Sequence, residues 1–151
     1  MGTIKDADIF EQYEKLDRQN FQSALLTGHL ATHLLAEQGI LTLTGAHAVF
    51  EGPVNYAYAY AMTKSSTHAL ALNLAQLNEL PESASVITIL PQIIDTPDNR
   101  KGMPDADHAT WTPPDGVADL VHDWAEGKNR PLNGSFARLD YEQGSVFPTF
   151  L

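Results

Sequence analysis

The sequence predicts an α/β protein with a parallel sheet flanked by helices. Two observations carry this. Helical and strand-like segments alternate along the chain, as βα units do. The run Ser85-Val-Ile-Thr-Ile-Leu90 is too continuously apolar for a strand with one wet face, so helices must cover both of its sides.

Each element has its own signal. Residues 8–38 read as helix: Ile9, Phe10, Tyr13 and Leu16 share one stripe, and Ala24, Leu25, Leu26, Leu30, Leu34 and Leu35 form a broader one. Thirty residues is long for one helix, so a break is expected near residues 16–20, and Gly39 is the natural stop. Ile40–Thr44 is short, apolar and β-branched and reads as a strand. Gly45-Ala46 follows it, and Gly52-Pro53 marks a loop. A second long helix is expected over 55–77, with small residues in its middle and Leu70, Leu74 and Leu77 at helical spacing. Residues 81–85 make a turn and 85–90 the strongest strand. A polar, proline-rich stretch over 91–114 reads as irregular chain. Residues 114–126 fit a helix with proline early, one face of Val117, Leu120, Val121 and Trp124, and Gly127 as its stop. Residues 134–140 and Ser145–Phe150 read as two short strands.

Composition bounds the function. The 151 residues suit one domain, and no repeat or long linker divides them. Nineteen acidic against nine basic side chains leave a formal charge of −10, which argues against nucleic acid or an anionic membrane as partner. Without cysteine there is no disulfide, Cys-zinc site or thiol nucleophile. No apolar run approaches the roughly 20 residues that span a bilayer, and the start of the chain lacks a signal core. A cytoplasmic protein is expected.

The sharpest chemical feature is Tyr60-Ala-Met-Thr-Lys64, at the start of a helix that follows a strand and a loop. Residues at i and i+4 lie on one helix face. An ammonium about 4 Å from a phenol, at an effective dielectric of 20, favours phenolate by roughly 4 kcal/mol, about three pKa units. That would bring the phenol into acid–base range near neutrality. The spacing alone also suits a solvated tyrosine–lysine pair.

The surrounding sequence narrows the choice. Tyr-x-x-x-Lys opening a long helix after a strand ending in small residues resembles the short-chain dehydrogenase/reductase superfamily. Tyr60 to His68, Ile89 to Asp107, Trp111-Thr-Pro113 and His122 to Pro131 together closely resemble the quinonoid dihydropteridine reductases. His29-Leu-Ala-Thr32 and Leu41 to Ala46 fit the same family. The likeness runs from about Phe10 to Phe147.

The resemblance implies a partial Rossmann-like fold: a single domain over 1–151 that forms the C-terminal catalytic half, without the N-terminal βαβ units. No Gly-x-x-x-Gly-x-Gly or Gly-x-Gly-x-x-Gly turn occurs in these residues to cradle a pyrophosphate. The implied activity is NADH-dependent reduction of quinonoid dihydropterin to tetrahydropterin, with NADPH as the other possible cofactor. The alternative is a truncated, inactive member serving as a structural or dimerisation subunit. By resemblance Tyr60 is the catalytic tyrosine that protonates the pterin. Lys64 is the lysine that binds the nicotinamide ribose and tunes Tyr60. Asn20 falls where the superfamily holds a proton-relay water, and equally reads as an ordinary helix asparagine. Ile94 by its backbone and Thr96 by its side chain are implied contacts to the nicotinamide carboxamide. Ala46 stands where the superfamily's serine would fall, a position the dihydropteridine reductases also tend to leave without serine. The resemblance also implies a homodimer, or a complex with a related chain, through the two long helices, whose faces carry Leu26, Leu30, His33 and Ala71.

Other candidates have plainer readings. His47 reads as a solvated loop histidine. His29 and His33 read as a helix-surface or interface pair, since no third metal ligand accompanies them. Asp105, Asp107 and His108 read as a solvated loop, so no metal site is expected. Tyr56 and Tyr58 read as packing residues and Trp111 and Trp124 as core. Asn99, Arg100 and Lys101 form a small basic spot, either helix-end surface or a contact on the cofactor side.

Overall fold

A computed structural model describes residues 2–78 and 80–151. Helix α1 (Ile9–Leu16) passes through a π-helical turn (Asp17–Gln22) into α2 (Ser23–Leu34). Strand β1 (Ile40–Thr44) leads into a short helix α3 (His47–Glu51), then the long helix α4 (Tyr58–Ala75) and strand β2 (Ser85–Pro91). Helix α5 (Pro97–Gly102) and a 3-10 turn (His108–Thr110) precede α6 (Pro114–Ala125) and strands β3 (Phe136–Glu142) and β4 (Ser145–Phe150).

The sheet order is β1-β2-β3-β4. β1 and β2 pair in parallel, as do β2 and β3. β4 returns antiparallel to β3, with Glu142 opposite Ser145, which amends an all-parallel sheet. The reason is the two-residue loop Gln143-Gly144: both residues have positive φ, 51° and 85°, as a tight hairpin turn requires.

β2 is buried along its whole length and faces two cores in alternation. Val86 and Leu90 join Leu41, Leu43 and Phe136 under Ala24, Ala31, Ala71 and Leu74 of α2 and α4. Ile87 and Ile89 join Ala137, Leu139 and Trp124 beneath α6. Helices α2 and α4 approach closely because Gly28 has no side chain: a Cβ there would lie 2.8 Å from Leu74 Cδ1.

Several expectations are amended. The first helical segment ends at Leu34 rather than Gln38, and α4 spans Tyr58–Ala75 rather than 55–77. The expected break in the first segment is the π turn, which redirects the helix without ending it. The segment 91–114 is ordered by α5, by the bridge between Ile94 and Thr112, and by Trp111 and Thr112, both buried. His47 belongs to α3, and its Nε2 lies 3.4 Å from Glu51 Oε1. Tyr56 is 58% exposed and packs little, because it precedes the helix that buries its neighbours. Ala71 is 2% exposed and faces the core, so it contributes nothing to an outer face. Leu26 and Leu30 do lie outward, 57% and 44% exposed, as does His33. Among the described residues no helix is long and apolar enough to cross a membrane.

Candidate active site

Tyr60 and Lys64 lie on the first turns of α4, which docks its amino-terminal half against the carboxyl end of β1. Lys64 is 8% exposed, and its Nζ donates to the carbonyl oxygen of Thr44, the last residue of β1, at 2.8 Å. The same ammonium lies 5.9 Å from the centroid of the Tyr60 ring. Spacing thus brings the pair together, but the ammonium is held by the strand rather than by the phenol.

This changes the electrostatics expected from spacing. Burial raises the Tyr60 phenol above its ordinary pKa, and the neighbouring Tyr56 raises it further. Burial also lowers the Lys64 ammonium. Desolvation outweighs the attraction calculated for a 4 Å pair, so the expected lowering of Tyr60 by Lys64 is absent in this arrangement.

Asn20 sits inside the π turn. Its Nδ2 donates to Thr63 Oγ1 at 3.0 Å, and Thr63 Oγ1 donates to the Tyr60 carbonyl at 2.9 Å. The wider helical turn carries Asn20 across to α4 beside the Tyr60–Lys64 stretch. Its side chain is an interhelical contact from the π turn to α4. A cavity of about 300 Å³ opens between this turn and β1, lined by Asn20, Ser23, Thr27, Thr42, Thr44 and Lys64 among others. Thr42 Oγ1 borders it as a buried hydroxyl with no hydrogen-bond partner. Such a group stores an unmet demand of about 1–3 kcal/mol for a polar partner. Polar lining, an unpaired hydroxyl and a lysine ammonium suit the hydroxyl-rich ribose of a nicotinamide nucleotide.

Thr96 and Ile94 lie apart from that cavity, after β2. Thr96 caps α5, its Oγ1 accepting from Asn99 N at 3.2 Å, with Pro97 next in the chain. The Ile94 carbonyl accepts from Asn99 Nδ2 at 2.8 Å and from Thr96 N at 2.9 Å. The cap and carbonyl contacts give the post-β2 loop a defined shape. Arg100 is tied to Asp95 by two hydrogen bonds, which takes it out of any free basic spot. Asp107 caps the 3-10 turn, and the His108 ring centroid lies 4.4 Å from that of Trp111, tilted by 53°. Among the described residues no group of three or more candidate ligands clusters for a metal.

His68, one turn beyond Lys64, escaped the sequence reading. Its Nε2 accepts the backbone N–H of Ala46 at 3.1 Å, at the position where the superfamily's serine would fall. Its spacing was visible: Tyr60, Lys64 and His68 recur every four residues.

A mostly parallel sheet between helical layers, with Tyr-x-x-x-Lys at the carboxyl end of β1, is the architecture and motif of the short-chain dehydrogenase/reductase superfamily. Solved structures agree in fold. BdcA in complex with NADPH superposes with a TM-score of 0.73 at 24% identity, over 97% of this chain and 64% of that one. A short-chain dehydrogenase/reductase from Serratia marcescens gives 0.74 at 21% identity, over 93% and 59%. Within the superfamily the chain is a partial-length relative of dihydropteridine reductase: it is 33% identical over 141 residues to that of Dictyostelium discoideum. The match covers 92% of this chain and 61% of the relative's length. No family model matches the chain.

Proposed function

We propose that this chain supplies the catalytic half of an NADH-dependent dihydropteridine reductase, which reduces quinonoid dihydropterin to tetrahydropterin. The observation that carries the reading is the Tyr60–Lys64 pair beside the polar cavity, joined through Thr63 to Asn20. Lys64, with Thr42 and Asn20, would hold the nicotinamide ribose; the reduced nicotinamide supplies a hydride when bound. NADPH is the alternative donor. Tyr60 donates the proton that balances that hydride, leaving tetrahydropterin and the oxidised nucleotide. Asn20 and Thr63 hold the backbone of Tyr60 through its carbonyl oxygen. Ile94 and Thr96 shape the loop that would face the carboxamide. As part of the same reading we infer a cytoplasmic homodimer joined through α1–α2 and α4.

The chain spans about three-fifths of the curated relative's length. The second reading is a subunit kept for assembly. Rates of NADH oxidation with quinonoid dihydropterin separate the two, measured on an assembled form that includes a nucleotide-binding half. The enzymatic reading expects Tyr60→Phe to lower turnover by about 10²-fold, and Lys64→Ala to raise the Michaelis constant for NADH as well. Unchanged rates in both variants would remove the pair from the chemistry.

A further inference from the structure

We propose that His68 is a positioning residue of the Tyr60–Lys64 site, clasping the end of β1 to α4 by accepting the Ala46 N–H. This rests on the catalytic reading of that site, but the geometry stands by itself. Two side chains one turn apart on α4 reach the same strand end. Lys64 donates to the Thr44 carbonyl and His68 accepts from the Ala46 amide, so the backbone on either side of Gly45 is held through one acceptor and one donor.

The imidazole is seated rather than incidental. Phe50 and Phe136 pack edge-on to its ring, with centroids 6.1 and 5.5 Å away. Gly45 leaves the space it occupies: a Cβ there would collide with His68 Nε2 and lie 2.7 Å from Leu90 Cδ2. Accepting at Nε2 requires the neutral tautomer with its proton on Nδ1. Burial and the Lys64 ammonium, the charged group facing it from its own helix, hold its pKa down to about 4. The clasp is therefore in place throughout the neutral range. It also keeps a second positive charge away from Lys64.

The consequence for the site is where Lys64 sits. If the strand end loosens, the Thr44 carbonyl moves and the ammonium is free to take water. The test uses the whole chain, with ¹⁵N-histidine and ¹³C-lysine labels, and compares His68→Leu with His68→Gln. Glutamine retains an acceptor, whereas leucine keeps bulk without one. Wild type should show an unprotonated Nε2 at pH 7. His68→Leu should speed amide exchange at Ala46 by about tenfold, the scale of one lost hydrogen bond. It should also move the Lys64 titration back toward its ordinary value, and His68→Gln should restore both. A protonated Nε2 at pH 7 would overturn the proposal. So would unchanged Ala46 exchange and Lys64 titration in the leucine variant, or a folded glutamine variant that restores neither. No substrate or cofactor enters these readouts, so they remain decisive whether or not the redox reading fails.

Discussion

Replacing Lys64 with methionine should make the chain more stable while disabling the site. The side chain is almost fully covered, and its one hydrogen bond runs to the carbonyl of Thr44. A bond from a charged donor contributes about 1.5–3 kcal/mol. Against it stands the cost of keeping an ammonium away from water, several kcal/mol per ion after relaxation. Thr44 is exposed, so its carbonyl finds water once the lysine is gone. Methionine is unbranched and fills the same channel. The adjoining cavity admits some water, which places the net gain at the low end, about 1–2 kcal/mol. For a chain of this size that raises the melting temperature by about 3–6 °C at pH 7. The pH dependence follows from linkage. The folded pKa lies below the ordinary 10.5. Between the two values the unfolded chain binds a proton that the folded chain does not, so wild-type stability rises with pH across that window. The penalty is fully present below the folded pKa and fades toward 10.5, and the advantage of Lys64→Met should shrink accordingly. Thermal melts of both proteins at pH 7 and pH 10, followed by circular dichroism, check this. A lower melting temperature for the variant, or a gain that does not shrink at alkaline pH, would refute the argument.

Three further outcomes are expected. Sedimentation at high micromolar concentration should show a dimer, and Leu26→Glu with Leu30→Glu should return it to monomer, since both leucines are outward apolar groups on α2. Calorimetric titration of the isolated chain with NADH should give a dissociation constant of millimolar order, about −4 kcal/mol, and micromolar binding would refute the need for a phosphate-cradling turn. Gly45→Ala should destabilise by about 1–3 kcal/mol in urea unfolding, because its Cβ meets His68 and Leu90.

Strands and helices with strong periodicity were legible. Ile40–Thr44 and β2 follow from β-branched apolar runs, and α6 follows from Pro114, the Val117–Trp124 stripe and Gly127. The break near residues 16–20 was expected from length, but its π form was not legible, because Asp17-Arg-Gln-Asn-Phe-Gln22 contains no glycine or proline to mark it; the turn packs on α4. Other misses had signals. Thr96-Pro97 is a cap followed by a first-turn proline, yet the segment read as irregular chain. Gln143-Gly144 between two strands is a two-residue hairpin, which fixes β4 as antiparallel. At the site, helical spacing placed Tyr60 and Lys64 on one face. It gave no measure of how strongly burial and the strand carbonyl would compete for the ammonium.

That competition bears on the direction of the chemistry. The burial that raises the Tyr60 phenol also lowers the Lys64 ammonium, so each is pushed toward its neutral form. A phenol whose pKa is raised keeps its proton at neutral pH. It is then in the form that can give a proton, not the phenolate that would be needed to take one. In the proposed reduction the acceptor would gain a hydride, become more basic and draw the proton from Tyr60. Oxidation would ask the same phenol to ionise first, against its desolvation. The Lys64 ammonium favours that ionisation only if it leaves the Thr44 carbonyl and turns toward Tyr60. The clasp at Ala46 opposes such a move by holding the strand end in place. The proposed reduction therefore asks of Tyr60 only the protonated form that burial favours, with Lys64 kept on the Thr44 carbonyl.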